Sequence, residues 1–82
     1  MKPIKIIVTG ASGRMGQTII KKILMNKSLK LIGATEGYKN KFLGSDISKL
    51  IKLKKTGIII TDKIEPLFAK ADAVIDFTVP IA

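Results

Sequence analysis

The stretch "VTGASGRMGQ", residues 8–17, carries three glycines at every third position: Gly10, Gly13 and Gly16. The stretch overlaps "IKIIVTG", residues 4–10, which is continuously apolar apart from Lys5 and predicts a strand buried on both faces. After it, the apolar residues of the segment 15–24 recur at helical spacing. A tight turn needs one glycine or two, so three at this spacing indicate that something approaches the main chain closely.

Strand, glycine turn and helix follow one another here in the order that a dinucleotide-binding fold requires. In that fold Gly10 makes the tight turn, Gly13 lets a pyrophosphate approach the backbone, and Gly16 lets the helix pack closely on the strand. The free N–H groups and the dipole of the helix then favour the phosphate charge. The spacing is a variant of the commoner Gly-x-Gly-x-x-Gly, and a glycine-rich turn that binds nothing is the alternative interpretation.

A carboxylate at the end of the second predicted strand strengthens the nucleotide interpretation. The strand candidate "LKLIGATE", residues 29–36, ends on Glu36, which lies 20 residues after Gly16. An acid at this place accepts hydrogen bonds from the hydroxyls of the adenine ribose. A solvated carboxylate at a strand end is the alternative. The two signals on successive elements predict a nicotinamide dinucleotide, NADH or NADPH, as the cofactor.

The rest of the chain alternates strands with short helical segments. The further predicted elements are a helical turn near 47–53 within a long excursion, a strand at 58–62, a helix at 64–71 and a buried strand at 72–80. This alternation predicts an α/β fold, a Rossmann-like parallel sheet with flanking helices. Because the last strand stops two residues before Ala82, we expect residues 1–82 to form the front part of a dinucleotide-binding domain, without its remainder or a substrate domain.

Composition narrows the classes of function. The chain of 82 residues suits one small domain, and it contains no cysteine and no histidine. We therefore expect no disulfide and no metal site within it, and the usual general base of catalysis is absent. The amino terminus lacks the pattern of a signal peptide, and no apolar run approaches the ~18 residues of a membrane span. These features predict a cytoplasmic protein with no membrane partner.

The net charge is +9, from 14 lysines and one arginine against six acids. A non-enzymatic basic domain that binds nucleic acid is one alternative. Its lysines are spread along the chain, however, and readers of base sequence favour arginine, so we expect no nucleic-acid partner. The segment 39–55 holds six lysines and one acid, Asp46. Its role stays open between a mobile, solvated excursion and a rim that attracts an anionic cofactor or substrate.

Three motifs and one acid together resemble the dihydrodipicolinate reductase family: "VTGASGRMGQTI" at 8–19, Glu36, "LGSDI" at 43–47 and "DAVIDFTVP" at 72–80. The resemblance implies an NAD(P)H-dependent oxidoreductase that makes tetrahydrodipicolinate on the route to diaminopimelate and lysine. It covers nearly the whole chain but only the first part of the family's length. The chain alone is therefore expected to be inactive, whereas the full-length protein would form a homotetramer.

The resemblance also implies residue roles. The family's cofactor loop matches Gly10, Ala11, Ser12, Gly13, Arg14 and Met15. Glu36 matches its ribose-binding acid, and Phe77 and Thr78 match the strand end that lies along the cofactor near its nicotinamide half.

The cofactor form is predicted from the residue after the ribose acid. In the family an arginine often stands there and meets the 2′-phosphate of NADP, whereas this chain has Gly37. This difference favours NADH, although Lys39 or Lys41 could supply a point charge instead.

A second enzyme class shares the glycine loop. "TGASGRMG" also fits the Thr-Gly-x-x-Gly-x-x-Gly loop of an extended or atypical short-chain dehydrogenase, whose tyrosine and lysine pair would lie beyond this chain. The motif "IDFT" followed by Pro80, and the short helix after "TGIIITD", favour the reductase.

Overall fold

The structure is a computed structural model and describes residues 2–77. Its elements are β1 (Ile4–Thr9), α1 (Arg14–Leu24), β2 (Leu29–Thr35), α2 (Ser48–Ile51), β3 (Ile60–Thr61), α3 (Glu65–Phe68) and β4 (Ala73–Asp76). The predicted order of strands and helices is confirmed, including Pro66 in the first turn of α3.

The four strands form one parallel sheet in the order β3-β2-β1-β4. From β1 the chain moves outward through β2 to β3, and then returns to the opposite side of β1 as β4. The predicted Rossmann-like arrangement is therefore confirmed. Such a reversal of strand order is the place where open α/β sheets bind ligands, outside the carboxyl ends of the strands.

Strand β3 is shorter than the five residues that the sequence predicted. The preceding residues pair with the excursion instead: Ile59 forms an isolated antiparallel bridge with Asp46, and the N–H of Ile47 donates to the carbonyl of Ile58 at 2.9 Å. Competition from this local antiparallel contact leaves only Ile60 and Thr61 to pair with β2.

The core lies between the sheet and the helices α1 and α2. Its buried apolar residues are Ile6, Val8, Ala11, Ile20, Ile23, Leu31, Ala34, Ile47, Leu50, Ile51 and Ile60. Three apolar residues of the lysine-rich segment 39–55, Ile47, Leu50 and Ile51, thus belong to the core. Leu53 and all six lysines of the segment are exposed.

The core-facing side of helix α1 agrees with its apolar spacing at Ile19, Ile20 and Ile23, but not at the two ends of the pattern, Met15 and Leu24. Gly16, Ile20 and Ile23 are buried, but Met15 is 68% exposed and Leu24 is 37% exposed. The helix lies closest to the loop at Gly16, so the stripe through that glycine turns inward. Successive helical residues are rotated by about 100°, which carries Met15 out of the interface.

The strand predicted at 72–80 is confirmed at Ala73–Asp76, but the prediction that it is buried was wrong for the part that the structure describes. Ala73, Val74 and Asp76 are exposed, and Ile75 is half-buried. Helix α1 packs over β1 and β2, and among the described strands β4 pairs with β1 alone. The last three residues of the predicted strand lie outside the described residues.

Candidate functional site

The glycine loop begins directly after β1. Gly10 has φ +68°, in the left-handed region that glycine adopts without a steric penalty. The N–H of Gly13 donates to the carbonyl of Gly10 at 3.2 Å and closes the turn. The chain then enters α1 at Arg14. The predicted role of Gly10 as the turn residue therefore has a clear conformational basis.

Gly16 is required by the packing of the protein itself. A Cβ atom there would lie 2.4 Å from the carbonyl oxygen of Gly10 and 2.9 Å from Cα of Ala11. Both neighbours are backbone atoms, which have little room to move. The missing side chain thus allows the first turn of α1 to lie against the loop.

Gly13 differs from Gly10 and Gly16 in its conformation and its packing. Its backbone is extended, with φ −71° and ψ 165°, a conformation open to any residue. A Cβ atom would have the carbonyl oxygen of Gly10 as its nearest neighbour, at an ordinary 3.5 Å, and the residue is exposed. Neither conformation nor internal packing explains a glycine at this position. The open space beside it is available to a ligand.

The start of α1 suits an anion. Gly13 is the N-cap and has no side chain with which to cap the helix, and the first turn contains no acid. In any α-helix the first N–H groups have no intrahelical partner, and here they belong to Arg14, Met15 and Gly16. The helix dipole and the exposed guanidinium of Arg14 add positive potential at the same end.

Glu36 contacts the glycine loop directly. It follows β2 and is half-buried, and its own N–H donates to the carbonyl of Thr61 at 3.0 Å. Its Oε2 accepts a hydrogen bond from the N–H of Ser12 at 2.6 Å and a second one from the Ser12 hydroxyl. The side-chain Nδ2 of Asn40 donates to that same hydroxyl at 3.1 Å. The predicted ribose acid and the predicted loop therefore form one hydrogen-bonded unit.

The end of β4 lies beside the same loop. The N–H of Phe77 donates to the carbonyl of Thr9 at 3.0 Å, and the Thr9 hydroxyl donates to Oδ1 of Asp76 at 2.6 Å. These contacts hold Phe77 next to the residue from which the glycine turn starts. Thr78, the other predicted residue of this strand end, lies outside the described residues.

A surface cavity of about 300 Å³ opens between α1 and the end of β4. Its lining residues are Arg14, Met15, Thr18, Ile19, Lys22 and Phe77. Three of these are residues of the predicted cofactor site. Thr18, Ile19 and Lys22 were not predicted, although they follow Met15 by three, four and seven residues along α1, which places them on one helical stripe.

Two further polar side chains support the loop without having been predicted. Gln17 Nε2 donates to the carbonyl of Ser12 at 2.7 Å, and Asn40 reaches the Ser12 hydroxyl from a segment 28 residues away. The position of Gln17 at the start of the helix was a usable signal. For Asn40 the sequence offers no signal, because its contact depends on how the excursion folds back.

Within residues 2–77 the structure contains no cluster of three or more potential metal ligands from histidine, cysteine, aspartate and glutamate. No helix of that part of the chain is both long enough and apolar enough to cross a membrane.

Comparison with known proteins identifies the family. The family model described as "Dihydrodipicolinate reductase, N-terminus" matches residues 4–82. This chain belongs to that family. The match confirms the resemblance that the motifs indicated, and it favours the reductase over the short-chain dehydrogenase interpretation.

Relatives named 4-hydroxy-tetrahydrodipicolinate reductase match most of this chain. The protein from Brucella abortus (strain 2308) is 46% identical over 77 residues, which cover 94% of this chain and 29% of the relative. The protein from Parvibaculum lavamentivorans is 46% identical over 80 residues, 96% of this chain and 30% of the relative. The protein from Burkholderia ambifaria is 42% identical over 76 residues, 93% of this chain and 28% of the relative. The chain thus spans under a third of the length of these curated relatives.

Proposed function

We propose that this chain binds a nicotinamide dinucleotide as the cofactor-binding part of a 4-hydroxy-tetrahydrodipicolinate reductase. The observation that carries the proposal is Gly13. It is the one glycine of the motif that neither the backbone conformation nor the packing of the chain requires. A pyrophosphate lying against Gly13, beside the unpartnered N–H groups of the first helical turn, would explain why this position has no side chain.

The residues around Gly13 fit the rest of such a cofactor. In this proposal Gly10, Ala11 and Ser12 form the wall of the pyrophosphate site, and Glu36 accepts hydrogen bonds from the adenine ribose. Arg14, Met15 and Phe77 border the cavity beside α1, which would take the nicotinamide half. Thr78 joins this group on the ground of its sequence motif alone.

For the cofactor form we propose a preference for NADH. The carboxylate of Glu36 would repel a 2′-phosphate, and Gly37 offers no cation to offset that repulsion. The two nearest lysines lie over aromatic rings of their own segment: Lys39 Nζ is 5.5 Å from the ring centre of Tyr38, and Lys41 Nζ is 5.2 Å from that of Phe42.

The proposed reaction is the one that the relatives' name gives, the reductase reaction. A bound nicotinamide cofactor supplies a hydride, and this chain would hold and orient that cofactor. Because the chain spans under a third of its relatives, we expect it to bind the cofactor without turning over substrate. For the full-length protein we propose a catalytic domain and a homotetramer. An assay of reductase activity would test the first, and sedimentation the second.

The experiment that tests cofactor binding is a titration of the Gly13→Asp variant with NADH and NADPH. Aspartate is a good N-cap and favours the positive end of a helix, so the melting temperature should stay the same or rise. The same carboxylate would occupy the pyrophosphate site with a like charge. We therefore expect NADH binding to weaken by a hundredfold or more, that is, by over about 2.7 kcal/mol.

The matched control is Asn26→Asp, which adds the same charge just beyond the other end of α1, roughly 20 Å from Gly13 along the helix axis. Its affinity for NADH should equal that of the unchanged chain. The proposal fails if the unchanged chain binds neither dinucleotide. It also fails if Gly13→Asp and Asn26→Asp bind NADH equally well.

A further inference from the structure

We propose that Asn40 is a positioning residue for the adenosine end of the cofactor. Its amide orients the Ser12 hydroxyl, which holds one oxygen of the Glu36 carboxylate and leaves the other for the ribose. This inference rests on the proposed dinucleotide site, but it concerns a residue that no cofactor motif contains.

Four hydrogen bonds fix Asn40 in place. Its N–H donates to the carbonyl of Gly37 at 2.9 Å, and its carbonyl accepts from the N–H of Leu43 at 3.2 Å. Its Oδ1 accepts from the N–H of Phe42 at 2.8 Å. This last bond sets the orientation of the amide, so the donor Nδ2 faces Ser12, 3.1 Å from its hydroxyl oxygen.

The amide is also anchored to the core. Phe42 and Leu43, which hold Asn40 through their backbone N–H groups, pack against the buried apolar cluster. The position of Nδ2 therefore depends on the folded core and not only on an exposed loop. Through it the excursion that follows β2 is joined to the glycine loop that follows β1.

The chemistry of a hydroxyl group explains how this contact reaches Glu36. Serine has one O–H donor and can accept through its lone pairs. When Ser12 Oγ accepts from Asn40, its proton is directed away, towards Oε2 of Glu36. Hydrogen bonds in such chains polarise and strengthen one another.

The result is an asymmetric carboxylate. Both donors of Ser12, the N–H and the hydroxyl, end on Oε2 of Glu36, and Oε1 accepts no hydrogen bond from the described residues. A ribose hydroxyl can therefore be accepted by Oε1 without displacing the contact to the loop. Without the Asn40 donor, the Ser12 hydroxyl could rotate away from Oε2, and the Glu36 carboxylate would lose its fixed orientation.

The test is Asn40→Asp, measured by calorimetric titration of the 82-residue chain with NADH and NADPH. The variant keeps the Oδ1 atom that accepts from Phe42, but it replaces the donor with a second carboxylate oxygen. We expect NADH binding to weaken about two- to tenfold, the worth of one hydrogen bond. NADPH binding should weaken more, because the added charge repels the 2′-phosphate.

Asn26→Asp is again the matched control. Asn26 makes the same kind of turn, with its Oδ1 accepting from the N–H of Ser28 at 2.8 Å. It precedes β2 and so lies at the amino ends of the strands, opposite the glycine loop. It reproduces both the added charge and the retained turn. We expect its affinities for both dinucleotides to stay unchanged.

A double-mutant cycle separates positioning from a general effect on the loop. If Asn40 acts through Ser12, Asn40→Ala should weaken NADH binding in the original chain but add little to Ser12→Ala. Equal losses in both backgrounds would show that Asn40 acts through its turn at Phe42, and would overturn the inference. Unchanged NADH affinity of Asn40→Asp would overturn it as well.

One measurement needs no variant. In NMR spectra of the unchanged chain, NADH should shift the Ser12 backbone amide and the Asn40 side-chain amide together, and leave the Asn26 side-chain amide in place. Signals of Ser12 and Asn40 that stay fixed while NADH binds would overturn the inference alone. An unchanged chain that binds no dinucleotide would overturn the proposed function and this inference with it.

Discussion

The three equally spaced glycines differ in what the structure requires of them. Gly10 takes a left-handed conformation, and Gly16 makes room for a close backbone approach. At Gly13 neither the backbone conformation nor the packing requires a glycine. The spacing predicted the roles of Gly10 and Gly16, and a dihedral angle for Gly10 and a neighbouring backbone atom for Gly16 give their physical basis. The contrast between Gly13 and Gly16 is useful in experiments, since one substitution should affect the fold and the other the ligand.

We expect Gly16→Ala to destabilise the fold strongly. The new methyl group would lie 2.4 Å from the carbonyl oxygen of Gly10, so the helix must move away from the loop. Overpacking of this kind costs about 1–3 kcal/mol or more. The measurement is the free energy of unfolding in urea.

Gly37→Ala is the control for the Gly16 experiment, because a Cβ atom there meets nothing within 4 Å. It should change the free energy of unfolding by less than about 0.5 kcal/mol. Equal stabilities of the two variants would contradict the close packing at Gly16.

At the scale of elements, one carboxylate makes four hydrogen bonds within the excursion between β2 and β3. Asp46 is buried, and it accepts backbone hydrogen bonds from Ser48 at 2.9 Å, Thr56 at 3.2 Å and Gly57 at 2.7 Å, together with one from the Thr56 hydroxyl at 2.9 Å. The Ser48 bond in particular, with those from Thr56 and Gly57, lowers the pKa of Asp46 well below its ordinary value, although burial opposes this by raising it. The charged form thus closes the loop around α2.

The lowered pKa of Asp46 gives the stability of the fold a defined pH dependence. A carboxylate whose pKa is lower in the folded state stabilises the fold fully above its unfolded pKa, about 4, and this contribution disappears as the pH falls below that value. We expect Asp46→Asn to have a clearly lower melting temperature than the unchanged chain at pH 7. The difference between them should shrink as the pH is lowered from 4 towards 2.

Thermal melts of the two proteins across this pH range make the measurement. Asp62→Asn, which removes the same charge from an exposed side chain, should melt at pH 7 like the unchanged chain. A gap between Asp46→Asn and the unchanged chain that stays constant from pH 7 to pH 2 would contradict the role given to the Asp46 charge.

At the scale of the whole molecule, the sheet brings the candidate site together and leaves one side open. The glycine loop and Phe77 meet because β1 and β4 are neighbours, although they lie far apart along the chain. On the far side of β4 no other described strand pairs with it, and Val74 is 37% exposed on its face. An unpaired strand edge with apolar side chains favours association with another chain.

We therefore expect the chain of 82 residues to self-associate as its concentration rises. Val74→Lys, which places a charge on the β4 face, should shift sedimentation profiles towards the monomer. Met25→Lys is the control, because Met25 is 82% exposed beyond the end of α1 and away from this strand. A compact monomer at all concentrations would contradict the prediction, as would equal effects of the two substitutions.

The sequence by itself determined the kinds of elements, their order and the principal motif of the site. Local signals predicted the alternation of strands and helices, the glycine turn after residue 9 and the acid at position 36. These signals are the period of the hydrophobic residues and the turn-forming residue types, which need only a few residues of sequence. Even the family resemblance followed from such short motifs. Their interpretation needed no knowledge of which distant segments touch.

The tertiary structure decided the contacts between those segments. It turned Met15 outward, shortened β3 by pairing Ile59 with Asp46, exposed β4, and placed Asn40 on the hydroxyl of Ser12. Each of these features depends on how closely two elements approach and on which partner a backbone or side-chain group finds there. Such competition between long-range contacts leaves no periodic trace along the chain, so only the assembled sheet and its loops reveal it.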